Sequence, residues 1–138
     1  MDNVINCIKT VGAGVAAVLT FVFGGADWWL LALLALIIID YISGFIAAII
    51  EKKLSSRKGL TGILKKCMFL LVVAVGHIVD HAVGGDGALR SLVIGFLIAN
   101  EGLSILENCG RCGLPIPKKL MNILEQLKSN SEGTNETE

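Results

Sequence analysis

The stretch LLALLALIIIDYISGFIAAII, residues 30–50, is almost wholly aliphatic, yet Asp40 stands at its middle. With Trp28 and Trp29 in front of it, the segment is long enough to cross a hydrocarbon layer, which takes about 20 apolar residues at roughly 1.5 Å each. An Asp at the centre of such a helix costs about 2.5–3.5 kcal/mol, and each central Leu or Ile returns about 0.3–0.6 kcal/mol. The twelve Leu and Ile residues of 28–50 therefore outweigh the acid. The segment still inserts, but its carboxyl requires a partner, a proton or water. Intramembrane acids usually face the interior of a bundle or a wet cavity.

The rest of the chain agrees with a membrane class. Of 138 residues, 54% are apolar and only 17% charged, too few charges to coat a water-soluble sphere of this size. The sequence predicts an all-α integral membrane protein with three to four transmembrane helices, at about 11–25, 28–50, 63–83 and 88–106. These make up a transmembrane region over 1–107. A cytoplasmic segment, 108–128, follows, with Pro115 and Pro117 breaking the chain just past the last span. Leu120, Ile123, Leu124 and Leu127 recur there at helical spacing, which predicts a short amphipathic helix on the membrane or on a neighbouring subunit. The acidic tail, 129–138, is expected to be disordered. VGAGVAAVLTFVFGGA has the look of a signal-peptide core, but Asp2 and Lys9 precede it without a basic excess, so it is expected to be retained.

Charge placement predicts orientation. EKKLSSRKGLTGILKK carries Lys52, Lys53, Arg57, Lys58, Lys65 and Lys66 against Glu51 alone. Short loops rich in Lys and Arg stay in the cytoplasm, where these residues also meet anionic lipid headgroups. The connections GGAD and GGDGALR are poor in basic residues and face outward on this reading. Four spans put both termini in the cytoplasm. The formal net charge is zero and the basic loop lacks interleaved aromatic residues, so no nucleic-acid partner is expected.

Depth along the spans groups the polar residues. Asp40 lies twelve residues from Trp28, and Asn100 twelve from Ala88, on helices running the same way. Glu101 and His77 fall near the same level. These four are expected to form one polar layer, with Asn100 the partner of Asp40. Asp40, Gly44, Ala47 and Ala48 share one face, and Asn100, Ser104 and Glu107 share another. Such a layer serves either as hydrogen-bonded glue between helices or as the lining of a wet oligomeric lesion. His77, Asp80 and His81 have metal-like spacing without a wider ligand set, and CGRC at 109–112 lacks the strand-to-helix setting of a redox pair or a second zinc-ligand pair. No phosphate loop, nucleophile elbow or zinc-protease helix occurs. Neither a catalytic site nor a metal or other cofactor is expected.

Four elements in order resemble a known family: DYISG in a long aliphatic helix, SSRKGLTGILKK leading into the next, NEGLSILEN closing the last, and GLPIPKKL after it. Over roughly residues 28–128 the chain resembles the toxin-secretion and phage-lysis holins. The resemblance implies a small membrane protein that accumulates as homo-oligomers in the bacterial cytoplasmic membrane. It implies lesions that release an endolysin for host lysis or permit export of a large toxin. Positions matching the motifs are Asp40, Tyr41, Gly44, Gly59, Gly62, Lys65, Lys66, Asn100, Glu101, Ser104, Glu107, Asn108, Pro115 and Pro117. The family defines no catalytic residues, so these are candidates for topology, pore lining and assembly. Two other functions fit the composition: a small ion or proton transporter relaying through Asp40, His77 and Glu101, and a membrane anchor subunit of a larger complex.

Overall fold

The computed structural model describes residues 1–132. It consists of five helices: α1 (Asp2–Phe23), α2 (Trp28–Ile50), α3 (Ser56–Ala82), α4 (Ala88–Arg111) and α5 (Lys118–Glu132). The first four are each long and apolar enough to cross a membrane. The fold is therefore an all-α membrane bundle.

Local chemistry fixes the helix ends. Asp27 caps α2, its carboxylate accepting from the Leu30 amide at 3.0 Å. At the other end of α2, the Lys53 amide donates to the Ala48 carbonyl at 2.9 Å, closing a Schellman-type stop. The residue in the left-handed position of that stop is Lys52, at φ 55°, where glycine is the usual occupant. GGDG forms the α3–α4 turn as expected, with Gly84 and Gly87 at positive φ. α4 stops at Gly113, past which the Leu114 amide reaches back to the Cys109 carbonyl at 3.1 Å. Pro117 opens α5, its carbonyl accepting from the Leu120 amide at 3.0 Å.

Four helices run further than the apolar runs suggest, α4 among them, ending at Arg111 rather than residue 106. α1 starts at Asp2 rather than residue 11, and α3 at Ser56 rather than residue 63. α5 continues to Glu132, so 129–132 are helical, whereas disorder was expected from 129; the rest of that expected tail, 133–138, lies outside the described residues. Hydropathy marks where a helix meets lipid. The backbone ladder continues until a cap, glycine or proline ends it.

α4 is the centre of the bundle. It packs along α2, α3 and α5, while α1 packs along α3, has no buried residue, and meets α4 through the Arg90 side chain at its end. Leu30, Leu33, Val73, Ile94 and Leu97 form the core, with Leu33, Val73 and Ile94 fully enclosed. Outward faces are apolar, with Ile38, Ile42, Ile46, Leu71 and Val75 all exposed. A surface this apolar is covered by lipid or by other chains. α5 folds back along α4, where Leu124 rests against Gly102. Its contact is thus with its own chain.

Candidate functional site: two buried ion networks

The inward face of α4 reads Arg90, Ile94, Leu97, Glu101, Ser104, Asn108, all on one helical stripe. Its middle is apolar and both ends are polar. Each polar end builds a network.

The inner network lies at the end that carries the basic loop. Lys66 of α3 pairs with Asp40 of α2 at 2.9 Å and with both carboxylate oxygens of Glu101 on α4. Asp40 stands ten residues before the end of α2, Lys66 ten after the start of α3, and Glu101 ten before the end of α4. At 1.5 Å per residue all three lie about 15 Å from the same end. Glu101 is completely buried and Asp40 nearly so. Asn108 donates its amide to the Asp40 carboxylate at 3.1 Å and to the Ser43 hydroxyl at 3.0 Å. Arg111 donates to the Asn108 side-chain oxygen at 3.0 Å and grips both oxygens of Glu51, at 3.1 and 2.9 Å. That guanidinium holds the Glu51 carboxyl below its ordinary range.

This arrangement departs from the expected layer in three ways. The partners of Asp40 are Lys66 and Asn108, not Asn100. Asn100 is half-buried and sits beside Glu101. The inward polar face of α4 is Glu101, Ser104 and Asn108, with Ser104 half-buried, rather than Asn100, Ser104 and Glu107, and Glu107 is exposed. Lys66, expected at the lipid surface with the other loop cations, is instead the central cation of the network. Lys65 beside it is exposed. Lys66 shares the inward stripe of α3 with Phe69, Val73, Gly76 and Asp80, and that periodicity was the available signal.

A cleft of about 300 Å³ opens onto this network from the basic-loop end. Asp40, Lys66, Ser104 and Asn108 line it together with Tyr41, Gly44, Gly59 and Gly62, and Lys53 and Lys58 are among its other lining residues. The Tyr41 hydroxyl stands 3.6 Å from where a Cβ on Gly59 would lie. A Cβ on Gly44 would sit 3.4 Å from the Asn108 amide nitrogen, so the small residue lets α2 and α4 approach closely.

The outer network was not anticipated. Arg90 is buried and pairs with Asp27 at 2.6 and 3.1 Å. It also donates to the carbonyls of Phe23 at 2.7 Å and Gly25 at 3.3 Å, closing off the end of α1. Hydrogen bonds from Arg90 are the main reason the Asp27 carboxyl lies below its ordinary value. Asp80 accepts from the backbone amides of Leu89 at 3.2 Å and Arg90 at 2.6 Å, so it caps α4. His77 belongs to this outer end. Its ring lies 2.7 Å from where a Cβ on Gly24 would stand, and Gly24 is also left-handed at φ 77°. His77 stacks with the exposed His81 at a ring separation of 6.4 Å, while Asp80 turns away to the α4 amides. Among the described residues no three His, Cys, Asp or Glu side chains converge as metal ligands. Cys109 and Cys112 are free thiols on the last turn of α4 and at its cap.

The two networks stand apart. His77 is eleven residues from Lys66 on α3, about 16 Å along the axis. Leu33, Val73 and Ile94, each fully buried, fill the space between the ends of the bundle. Asp40 and Glu101 are together, but His77 is not with them.

Sequence comparison agrees with this architecture. The family described as bacteriophage holin family matches residues 17–129. An uncharacterised 14.9 kDa protein in the nagH 3′ region of Clostridium perfringens is 42% identical, over 94% of this chain and 98% of the relative. An uncharacterised protein of Listeria monocytogenes is 40% identical, over 80% of this chain and 79% of its own length. YtkC of Bacillus subtilis, also uncharacterised, is 33% identical over 94% and 96% of the two chains. No solved structure matches. With the match covering α2–α4, most of α5 and the end of α1, this membrane-embedded chain belongs to the bacteriophage holin family.

Proposed function

We propose that the chain is a holin that assembles with copies of itself in the bacterial cytoplasmic membrane. The assembly opens lesions that release an endolysin or permit export of a large protein. The basic-loop end and both termini face the cytoplasm, because the Lys- and Arg-rich 51–66 segment resists translocation.

The observation that carries this reading is the dry core between the two networks. Among the described residues a single chain holds no continuous polar path, since Leu33, Val73 and Ile94 stand between the inner and outer ion groups. A lesion therefore needs several chains. A proton relay through Asp40, Glu101 and His77 would have to cross that core, which disfavours the transporter. The lipid-facing surfaces of α1–α4 supply the contacts for assembly. Helix association in a bilayer gains packing and hydrogen bonds but no hydrophobic drive, so each contact is weak. Weak contacts make assembly depend steeply on the number of chains, and damage arrives after a delay.

Induced expression in bacteria tests the reading. Growth should continue normally and membrane potential should then collapse within a short interval. Co-expression of an endolysin without its own export signal should convert that collapse into lysis, while the endolysin alone should not lyse. Ion leakage that rises linearly with expression from the start would point to a transporter. A stable complex with one partner and no leakage would point to an anchor subunit. An inserted protein that neither depolarises cells nor releases endolysin at high expression refutes the holin reading.

A further inference from the structure

The cleft at the basic-loop end has a chemistry that the ion triad does not use. Its lining contains four cations, Lys53, Lys58, Lys66 and Arg111, against two acids, Asp40 and Glu51. Both acids are taken: Asp40 by Lys66, and Glu51 by Arg111 through both oxygens. Lys53 and Lys58 form no ion pair among the described residues and are exposed. Counting Glu101, which shares Lys66 with Asp40, the group carries one net positive charge, and its cations without a direct acid partner are Lys53 and Lys58. They stand where α2 ends and α3 begins, with Phe45 and Leu54, both exposed, beside them. Polar cations next to exposed apolar side chains at the end of a membrane helix match the headgroup level of a bilayer.

We propose that this cleft binds the phosphate of one anionic phospholipid, held between Lys53 and Lys58, with an acyl chain running down past Phe45. A lysine near an anionic headgroup is worth about 1 kcal/mol. Two of them correspond to roughly a 25-fold preference for an anionic over a zwitterionic lipid. The site differs from a diffuse basic surface because it is a cleft in which Asp40 and Glu51 each have a direct cation partner, so Lys53 and Lys58 are available to a ligand. The inference rests on membrane embedding and not on lesion formation, so it stands or falls independently of the holin reading.

The test is native mass spectrometry of the full chain released from nanodiscs of mixed phosphatidylglycerol and phosphatidylcholine. The native chain should retain one phosphatidylglycerol in preference to phosphatidylcholine. Lys53→Gln with Lys58→Gln should lose roughly 25-fold in that preference. Lys118→Gln with Lys119→Gln removes two exposed, unpaired lysines after α4 and should leave it unchanged. Circular dichroism checks that both double variants keep their helix content; a misfolded Lys53/Lys58 pair is replaced by Lys53→Ser alone, for which about a fivefold loss is expected. Equal losses in the two double variants, or no preference in the native chain, overturn the proposal. Displacement of the lipid by millimolar glycerophosphoglycerol would show that the cleft takes a free phosphate ester, and would also overturn it.

Discussion

Lys66 is the side chain on which the inner network depends, and its removal gives the sharpest stability prediction. Lys66→Met keeps most of the length and the apolar stem of the side chain but leaves Asp40 and the fully buried Glu101 without their shared cation. At 2.9 Å from Asp40, with an effective dielectric near 20, the lost attraction to that one acid is about 6 kcal/mol before desolvation is counted. Relieving the desolvation of the ammonium offsets part of this. Breaking a buried pair by deleting one partner costs about 3–5 kcal/mol in practice. The cleft admits water on the Asp40 side, which favours the lower end, so the expected loss is about 3 kcal/mol. Reversible unfolding in mixed micelles by SDS titration, followed by far-ultraviolet circular dichroism, measures it. The neighbouring Lys65→Met, at an exposed position, should stay within about 0.5 kcal/mol of the native chain. Adding Asp40→Asn and Glu101→Gln to Lys66→Met removes the orphaned charges and should restore at least half of the loss. The reasoning is refuted if Lys66→Met is as mild as Lys65→Met, or if the triple variant is no more stable than the single one.

Three further outcomes are expected. Asp27 is held below its ordinary value by Arg90, so its contribution is fully present above the unfolded-state pKa and is lost as pH falls through the folded one; unfolding curves between pH 5 and pH 2 should show an acid limb beginning near pH 4 that Asp27→Asn flattens, modestly because the side chain is 43% exposed. Lys52→Gly relieves the left-handed strain at φ 55° and should stabilise the chain by about 1 kcal/mol in the same SDS titration, with no gain from Lys53→Gly. In intact cells, with native cysteines removed, a cysteine at Ser56 should resist an impermeant thiol reagent while one at Asp86 reacts, and the reverse pattern would invert the orientation.

Much of the fold was legible because a bilayer imposes simple rules. A run such as 30–50 has to be a helix, since lipid offers its backbone no other partners. GGDG at 84–87 and the prolines at 115 and 117 mark breaks whatever the helices pack against. The sequence also established that Asp40 needed a partner, by the insertion arithmetic alone. Depth along separate helices was less informative. It brought Asp40 to the level of Asn100 and Glu101 but could not choose between adjacent residues on one helix, which point about 100° apart. Helix rotation selected Glu101 and Asn108 over Asn100, and turned Lys66 inward while leaving Lys65 outside. Rotation is set by how whole faces interlock, here Leu33, Val73 and Ile94 across three helices. The outer network was hidden for a related reason. Asp27, Asp80 and Arg90 are distant in the chain, and each alone looks like an ordinary helix-end charge. Local pattern and lipid solvation thus determined which segments are helices and where they stop. Only the packing of α2, α3 and α4 against one another decided which charges meet and which face the lipid, because that choice depends on contacts among side chains far apart in sequence.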